Sequence, residues 1–119
     1  MLELFELRTR MPVVALADGL VLGAGAGLFM AAETRIASDA SSFAMPECVL
    51  GIVPDVGATD FLRGMPGGLC RYAALTGARL SAETMVATGV CTQACVADAD
   101  ALESLRCTLT SCALSLIHI

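Results

Sequence analysis

Glu47 and Asp55 stand eight positions apart near the middle of the chain, and each directly follows a proline, Pro46 or Pro54. Their neighbours, Phe43-Ala44-Met45 and Gly51-Ile52-Val53, are apolar or small rather than a solvated charge run. Proline fixes its own φ and restricts the residue before it, so both acids are held at stiff turns. Two positioned carboxylates in apolar surroundings can do general acid–base or nucleophilic work. The competing reading makes them surface turn residues, with Asp55 capping a helix that starts at Val56.

A second group lies upstream. Gly23-Ala24-Gly25-Ala26-Gly27 leads into Leu28 to Ala32, an expected helix. A glycine-rich turn feeding a helix presents backbone N–H groups at the positive end of the helix dipole. It can hold an oxyanion or a phosphate. The spacing is neither the GxGxxG of a dinucleotide fold nor a P-loop, since no Gly-Lys-Ser/Thr follows. The alternative is close helix–strand packing that requires small residues, and the two readings are compatible.

Both groups need a scaffold. Val13 to Ala17 is a continuous apolar run, expected as a strand buried on both faces and ended by Asp18-Gly19. Thr34 to Ser38 and Ser42 to Met45 read as short strands, the second delivering Glu47. Strand, helix and strand in this order suggest a βαβ-type unit. Helices are expected over Asp55 to Arg63 and over Leu69 to Thr76, the latter with Leu69, Tyr72, Ala73 and Thr76 on one face and Gly77 beyond its end. Ser81 should cap a further helix, with Glu83 in its first turn and Gly89 closing it. Val90 to Val96 reads as extended. Asp98 should cap a last helix whose Leu102, Leu105, Leu109 and Cys112 form an apolar stripe suited to packing.

Composition narrows the function. Of the 119 residues, 56% are hydrophobic and 16% charged. An ordinary soluble domain is about 45–50% apolar and about 25% charged. The excess predicts the inner part of something larger, or an oligomer, possible as a homo-oligomer. The longest apolar stretch, Val13 to Ala32, holds Asp18 and several glycines and lacks flanking basic residues, so no membrane span is expected. Met1 to Arg10 lacks a signal-peptide pattern, and secretion is not expected. A net charge of −5 disfavours nucleic acid as a partner. Cys48, Cys70, Cys91, Cys95, Cys107 and Cys112 are irregularly spaced and read as free thiols. Their spacing and the lone His118 suit no metal site.

Together these residues resemble the crotonase (enoyl-CoA hydratase/isomerase) superfamily. The match rests on Pro12-Val13-Val14-Ala15, Asp18-Gly19, the glycine turn, Phe43-Ala44-Met45-Pro46-Glu47, Gly51-Ile52 and Leu75-Thr76-Gly77-Ala78-Arg79-Leu80. Within it the chain is most similar to the 3-hydroxyisobutyryl-CoA hydrolase branch. Pro54-Asp55-Val56-Gly57 carries an acid where hydratases usually have glycine, and Gly27 stands where they carry their other glutamate. The likeness covers about residues 11–96 of a partial domain spanning 1–119, with 97–119 a helical or non-matching tail.

The resemblance implies an α/β fold, the crotonase-like β-β-α superhelix. It implies hydrolysis of the 3-hydroxyisobutyryl-CoA thioester in valine breakdown, with an acyl-CoA as substrate partner. No cofactor is implied, because coenzyme A is part of the substrate. Glu47 would attack the carbonyl or activate water, and Asp55 would orient the substrate or shuttle a proton. The Ala24 amide, flanked by Gly23 and Gly25, would donate to the oxyanion. The family turn usually reads Gly-Gly-Gly; here Ala24 takes the middle place and still supplies an amide. The compartment implied is the mitochondrial matrix in a eukaryote and the cytoplasm otherwise. Much of the family's upstream half and C-terminal helical part has no counterpart here, so the isolated chain is expected to show little activity. The alternatives are a hydratase or isomerase, a non-catalytic assembly subunit, and a truncated product that does not fold alone.

Overall fold

A computed structural model describes residue 6 and residues 9–93, 99–111 and 115–119. Strand β1 (Val13–Ala17) is buried along its whole length, as its unbroken apolar run requires. Leu16, fully buried, and Val13, 2% exposed, each contribute roughly 1.5–3 kcal/mol by leaving water. The chain turns at Asp18-Gly19 into β2 (Leu20–Leu22), then enters helix α1 (Ala24–Ala31). Strand β3 (Thr34–Ala37) returns parallel to β1, with Val14 opposite Thr34 and Ala17 opposite Ala37, completing the expected parallel return through a helix. The short β2 was not foreseen. Three apolar residues are too few to display a period, and β2 is fixed from afar by parallel pairing with β4 (Ser42–Ala44).

Two three-stranded sheets result. One has the order β3-β1-β6, with β6 formed by Ser115–His118; the other is β2-β4-β5, with β5 formed by Leu80–Ser81. Between Ala17 and Leu20 the chain therefore passes from one sheet to the other. The two sheets and α1 enclose a main core built on Phe29, Phe43, Met45, Leu62 and Met85, and a second, smaller cluster holds Val14, Leu16, Ile36 and Leu102. A 3-10 helix (Pro46–Leu50) follows β4, and then α2 (Ala58–Arg63), α3 (Leu69–Thr76), α4 (Ala82–Ala87) and α5 (Ala99–Thr110).

Several expectations hold in detail. Ser81 caps α4, its hydroxyl accepting from the Thr84 amide at 3.3 Å. Gly77 ends α3 with a left-handed φ of 64°. Leu102 is buried, and Leu105 and Leu109 pack beside it against Val14, Leu16 and Ile36. Cys112 and Asp98 lie outside the described residues. Cys48, Cys70, Cys91 and Cys107 are free thiols; Cys95 and Cys112 are outside the description. Among the described residues no helix is long and apolar enough to cross a membrane.

Other expectations are corrected. Residues 90–93 form bends instead of a strand, tied to Arg35: the Thr92 amide donates to the Arg35 carbonyl at 3.0 Å, and the Arg35 amide donates to Thr92 Oγ1 at 2.8 Å. Its guanidinium donates to the Val90 carbonyl at 2.7 Å and to the Gly89 carbonyl at 3.1 Å. Residues 94–96 of that expected strand lie outside the description. On α3 the inward side chains are Leu69, Cys70, Ala73 and Ala74, while Tyr72 and Thr76 face solvent. Small Ala73 lets the helix approach closely, and the bulkier Tyr72 is turned out. The apolar excess reaches the surface: Val49, Leu50, Val53 and Leu75 are each at least 74% exposed.

Candidate active site

The site is assembled from the switch between sheets. At the end of β1, Ser38 Oγ donates to Asp18 Oδ1 at 2.6 Å, and Ser41 Oγ donates to the Ala17 carbonyl at 3.0 Å. The Ser42 amide donates to the Gly19 carbonyl at 2.8 Å. These bonds fix where β2 starts beside β4, with Leu22 opposite Ala44. The ladder is extended by the Gly23 amide, which donates to the Ala44 carbonyl at 3.1 Å. Gly23 is thereby pinned next to the strand that delivers Glu47.

Helix α1 begins inside the glycine run, at Ala24, earlier than the expected Leu28. Its first internal bond runs from the Gly27 amide to the Gly23 carbonyl. The amides of Ala24, Gly25 and Ala26 precede that bond and have no partner within the helix. No side chain caps this end. Ala24 is helical and exposed, so its methyl imposes no backbone strain. Gly27 is buried and, as a glycine, brings no side chain to this turn.

Glu47 meets this turn. It is only 7% exposed, and its Oε2 is buried without a hydrogen-bond partner. Its Oε1 lies 2.8 Å from the place a Cβ on Gly23 would occupy. Gly23 has φ 51° and ψ −118°, a conformation that suits glycine. Two conditions thus require glycine there: the backbone shape and the carboxylate packed against it. A buried carboxylate lacking a partner is costly unless something else recovers that cost.

Asp55 departs from the expectation. It is exposed, and its carboxylate makes no hydrogen bond among the described residues. It does not cap α2 either. That helix starts at Ala58 with Gly57 before it and no side-chain cap, and the Asp55 backbone carbonyl accepts from the Ala58 amide at 2.8 Å. The reason is local: Val56 adopts φ 46° and Gly57 φ 87°, which delays the helix. A β-branched residue in that region stores about 1–3 kcal/mol of strain, a cost usually met where function demands it. Pro54 and Ala58, on either side of the acid, line an apolar cavity of about 400 Å³ with Val53, Leu62, Cys70 and Ala74.

Sequence reasoning missed Gly77 as part of the site's support. A Cβ there would lie 3.1 Å from Pro46 Cα and 3.3 Å from Cys48 Sγ. So α3 braces the 3-10 helix that carries Glu47. In the sequence Gly77 marks the end of a helix and belongs to the Leu75-to-Leu80 run that carries the family resemblance, and neither reading places it against the Glu47 turn. Gly77→Ala is expected to cost about 1–2 kcal/mol from the left-handed φ alone. It should also push on the Glu47 backbone, and a lowered urea midpoint with an unchanged slope would register the loss.

A family-wide sequence profile described as "Enoyl-CoA hydratase/isomerase" matches residues 4–115. The chain belongs to that family. Among its relatives is the mitochondrial 3-hydroxyisobutyryl-CoA hydrolase of Xenopus tropicalis, 46% identical over 81 residues, 68% of this chain and 21% of that protein. Another is the small ribosomal subunit protein mS47 of Arabidopsis thaliana, 39% identical over 85 residues, 71% of this chain and 21% of that protein. The solved enoyl-CoA hydratase from Rhodobacter sphaeroides 2.4.1 superposes with a TM-score of 0.77 at 32% identity, covering 91% of this chain and 33% of that one. The fold is thus the crotonase fold of the family's hydratases. The chain spans about a fifth of the length of the curated relatives it matches.

Proposed function

We propose that this chain carries the acyl-transfer groups of a CoA-thioester hydrolase acting on 3-hydroxyisobutyryl-CoA. The observation that carries the reading is the Glu47 carboxylate, buried, unpartnered at Oε2 and packed against the glycine turn. The named hydrolase relatives support it. A thioester carbonyl placed at the turn would point its oxygen at the Ala24 amide. Glu47 would then attack the carbonyl carbon, or remove a proton from a water that does so. As charge develops on the oxygen, a fixed amide donor lowers the barrier by about 3 kcal/mol. The C–S bond breaks and the thiolate of coenzyme A leaves. If Glu47 is the nucleophile, water resolves the resulting mixed anhydride and the carboxylate is restored. Asp55, exposed beside the apolar cavity, would orient the hydroxyacyl group or return a proton to the leaving sulfur. No cofactor takes part. A mitochondrial setting is consistent with the name of the Xenopus relative.

Two other readings remain distinct. A hydratase would use a second glutamate, and Gly27 offers none. A ribosomal or other assembly role gains weight from the mS47 relative, but does not need a buried, unpartnered acid.

The test replaces the matching segment of the Xenopus hydrolase with residues 11–96 of this chain and follows free-thiol release from 3-hydroxyisobutyryl-CoA. The graft should hydrolyse the thioester, and Asp55→Asn should lower kcat by about 10²-fold. The isolated chain should show little turnover. A folded graft without thiol release would reject the hydrolase reading and favour the assembly role.

A further inference from the structure

Asp18 stands where the chain leaves one sheet for the other, and it is exposed. The two serines behind it are buried, Ser38 at 6% exposure and Ser41 at 3%. These three side chains allow one assignment of protons. Ser38 Oγ donates to Asp18 Oδ1 at 2.6 Å, a length typical of a bond to a charged oxygen. Ser41 Oγ donates to the Ala17 carbonyl at 3.0 Å. Each hydroxyl has a single proton, so none lies between the two serine oxygens, which are 3.3 Å apart. Ser41 Oγ is thereby left to accept from the Gly19 amide at 3.4 Å. Gly19 makes the crossing with φ 123°. Its carbonyl accepts from the Ser42 amide at 2.8 Å, which opens the β2–β4 pairing that ends with the Gly23 amide on the Ala44 carbonyl. Ala24 follows directly. A continuous hydrogen-bonded path thus runs from the Asp18 carboxylate to the turn that offers the Ala24 amide.

We propose that Asp18 is a positioning residue for the carbonyl site, which keeps the Ala24 amide in register by holding the Ser38 proton away from Ser41. The role rests on reading the glycine turn as that site. Without the carboxylate, the buried Ser38 hydroxyl needs another acceptor, and Ser41 Oγ stands within reach. Closing that gap to the usual ~2.7–2.8 Å draws Ser41 Oγ off the Gly19 amide, whose bond is already long. β2 then loses the bond at its start, and the amide after Gly23 shifts against the thioester oxygen. A misplacement of about 1 Å far from the chemistry can cost about 10²-fold in rate. The loss falls on kcat, because the amide acts on charge that develops only in the transition state.

The test uses the hydrolase graft described above and compares Asp18→Ala, Asp18→Asn and the double variant Asp18→Ala/Ser38→Ala. Asp18→Ala should lower kcat for thiol release about tenfold with KM unchanged. Asp18→Asn keeps an acceptor oxygen for Ser38 and should recover most of kcat. The double variant removes the competing hydroxyl and should also recover kcat, although it deletes more hydrogen bonds; a merely structural pair gives a double variant as slow as the single one or slower. In the isotope-labelled 119-residue chain, the Gly19 and Ala24 amide shifts should move together in Asp18→Ala and return in the double variant. A lowered Tm with unchanged kcat in Asp18→Ala, or a double variant no faster than the single one, overturns the positioning role and leaves the carbonyl site standing. If Asp18→Ala does not fold, Ser41→Ala decides. It removes the acceptor of the Gly19 amide and should lower kcat about tenfold at constant KM; an unchanged kcat overturns the role. A graft with the parent sequence that releases no thiol overturns the carbonyl site and the role with it.

Discussion

Glu47→Gln in the grafted hydrolase lowers kcat for thiol release by about 10³-fold, within the range a positioned acid–base group contributes. The amide keeps the shape of the side chain but can neither attack the carbonyl nor accept a proton from water. The same substitution should leave the fold intact or strengthen it. The wild-type Oε2 is buried with no partner, and an uncompensated buried charge costs more than a neutral group of the same shape. A thermal melt should therefore show an unchanged or higher Tm beside the lost activity. That opposite movement separates a functional acid from a structural one, since removal of a stabilising carboxylate lowers both. A lowered Tm with retained thiol release would reject the assignment.

Phe43→Ala has the largest expected effect on stability. Phe43 is fully buried in β4, paired across to Val21 and Leu80, and its ring meets Phe61 edge-on with centroids 6.2 Å apart. Truncating a buried phenylalanine costs about 3–5 kcal/mol through lost transfer energy and the cavity left behind. A domain of this kind has only about 5–15 kcal/mol in total. The variant should unfold at a much lower urea concentration, or be unfolded without denaturant. Phe43→Leu retains most of the apolar volume and should lose clearly less. The position also lies just before Glu47, so the core and the site should fail together.

How much of this was legible depended on how local each cause is. β1 could be read because burial on both faces demands an unbroken apolar run. The Ser81 cap and the Gly77 stop could be read because their causes lie within a turn of the residue itself. Glu47 was singled out from its proline and its apolar neighbours, and its burial agrees with that. Asp55 has the same flanking pattern yet is exposed, because Val56 and Gly57 swing the backbone into the left-handed region. Nothing in the type of a valine announces a positive φ. β2 and β6 were missed for a different reason. Each is a strand only because β4 or β1 offers it a partner edge, and a short segment carries no sign of its distant neighbour. The bends after Val90 likewise depend on Arg35, far away in sequence. The contact between Gly23 and Glu47 joins two groups that the sequence singled out separately.

The ladders described above also set an order of assembly. β1 meets β3, and β2 meets β4, across segments of about twenty residues each. Closing such loops carries an entropic cost that grows only slowly with length. Every main-chain bond that sets Gly23 beside β4 lies between Val13 and Ala44, whereas the 3-10 helix that carries Glu47 waits for α3 to brace it through Gly77. A chain emerging from the ribosome at about 5–20 residues per second would complete these pairings within a few seconds of releasing them. The strands that flank the two candidate reacting groups therefore belong to one early-pairing unit, and α3 then fixes the turn that carries Glu47.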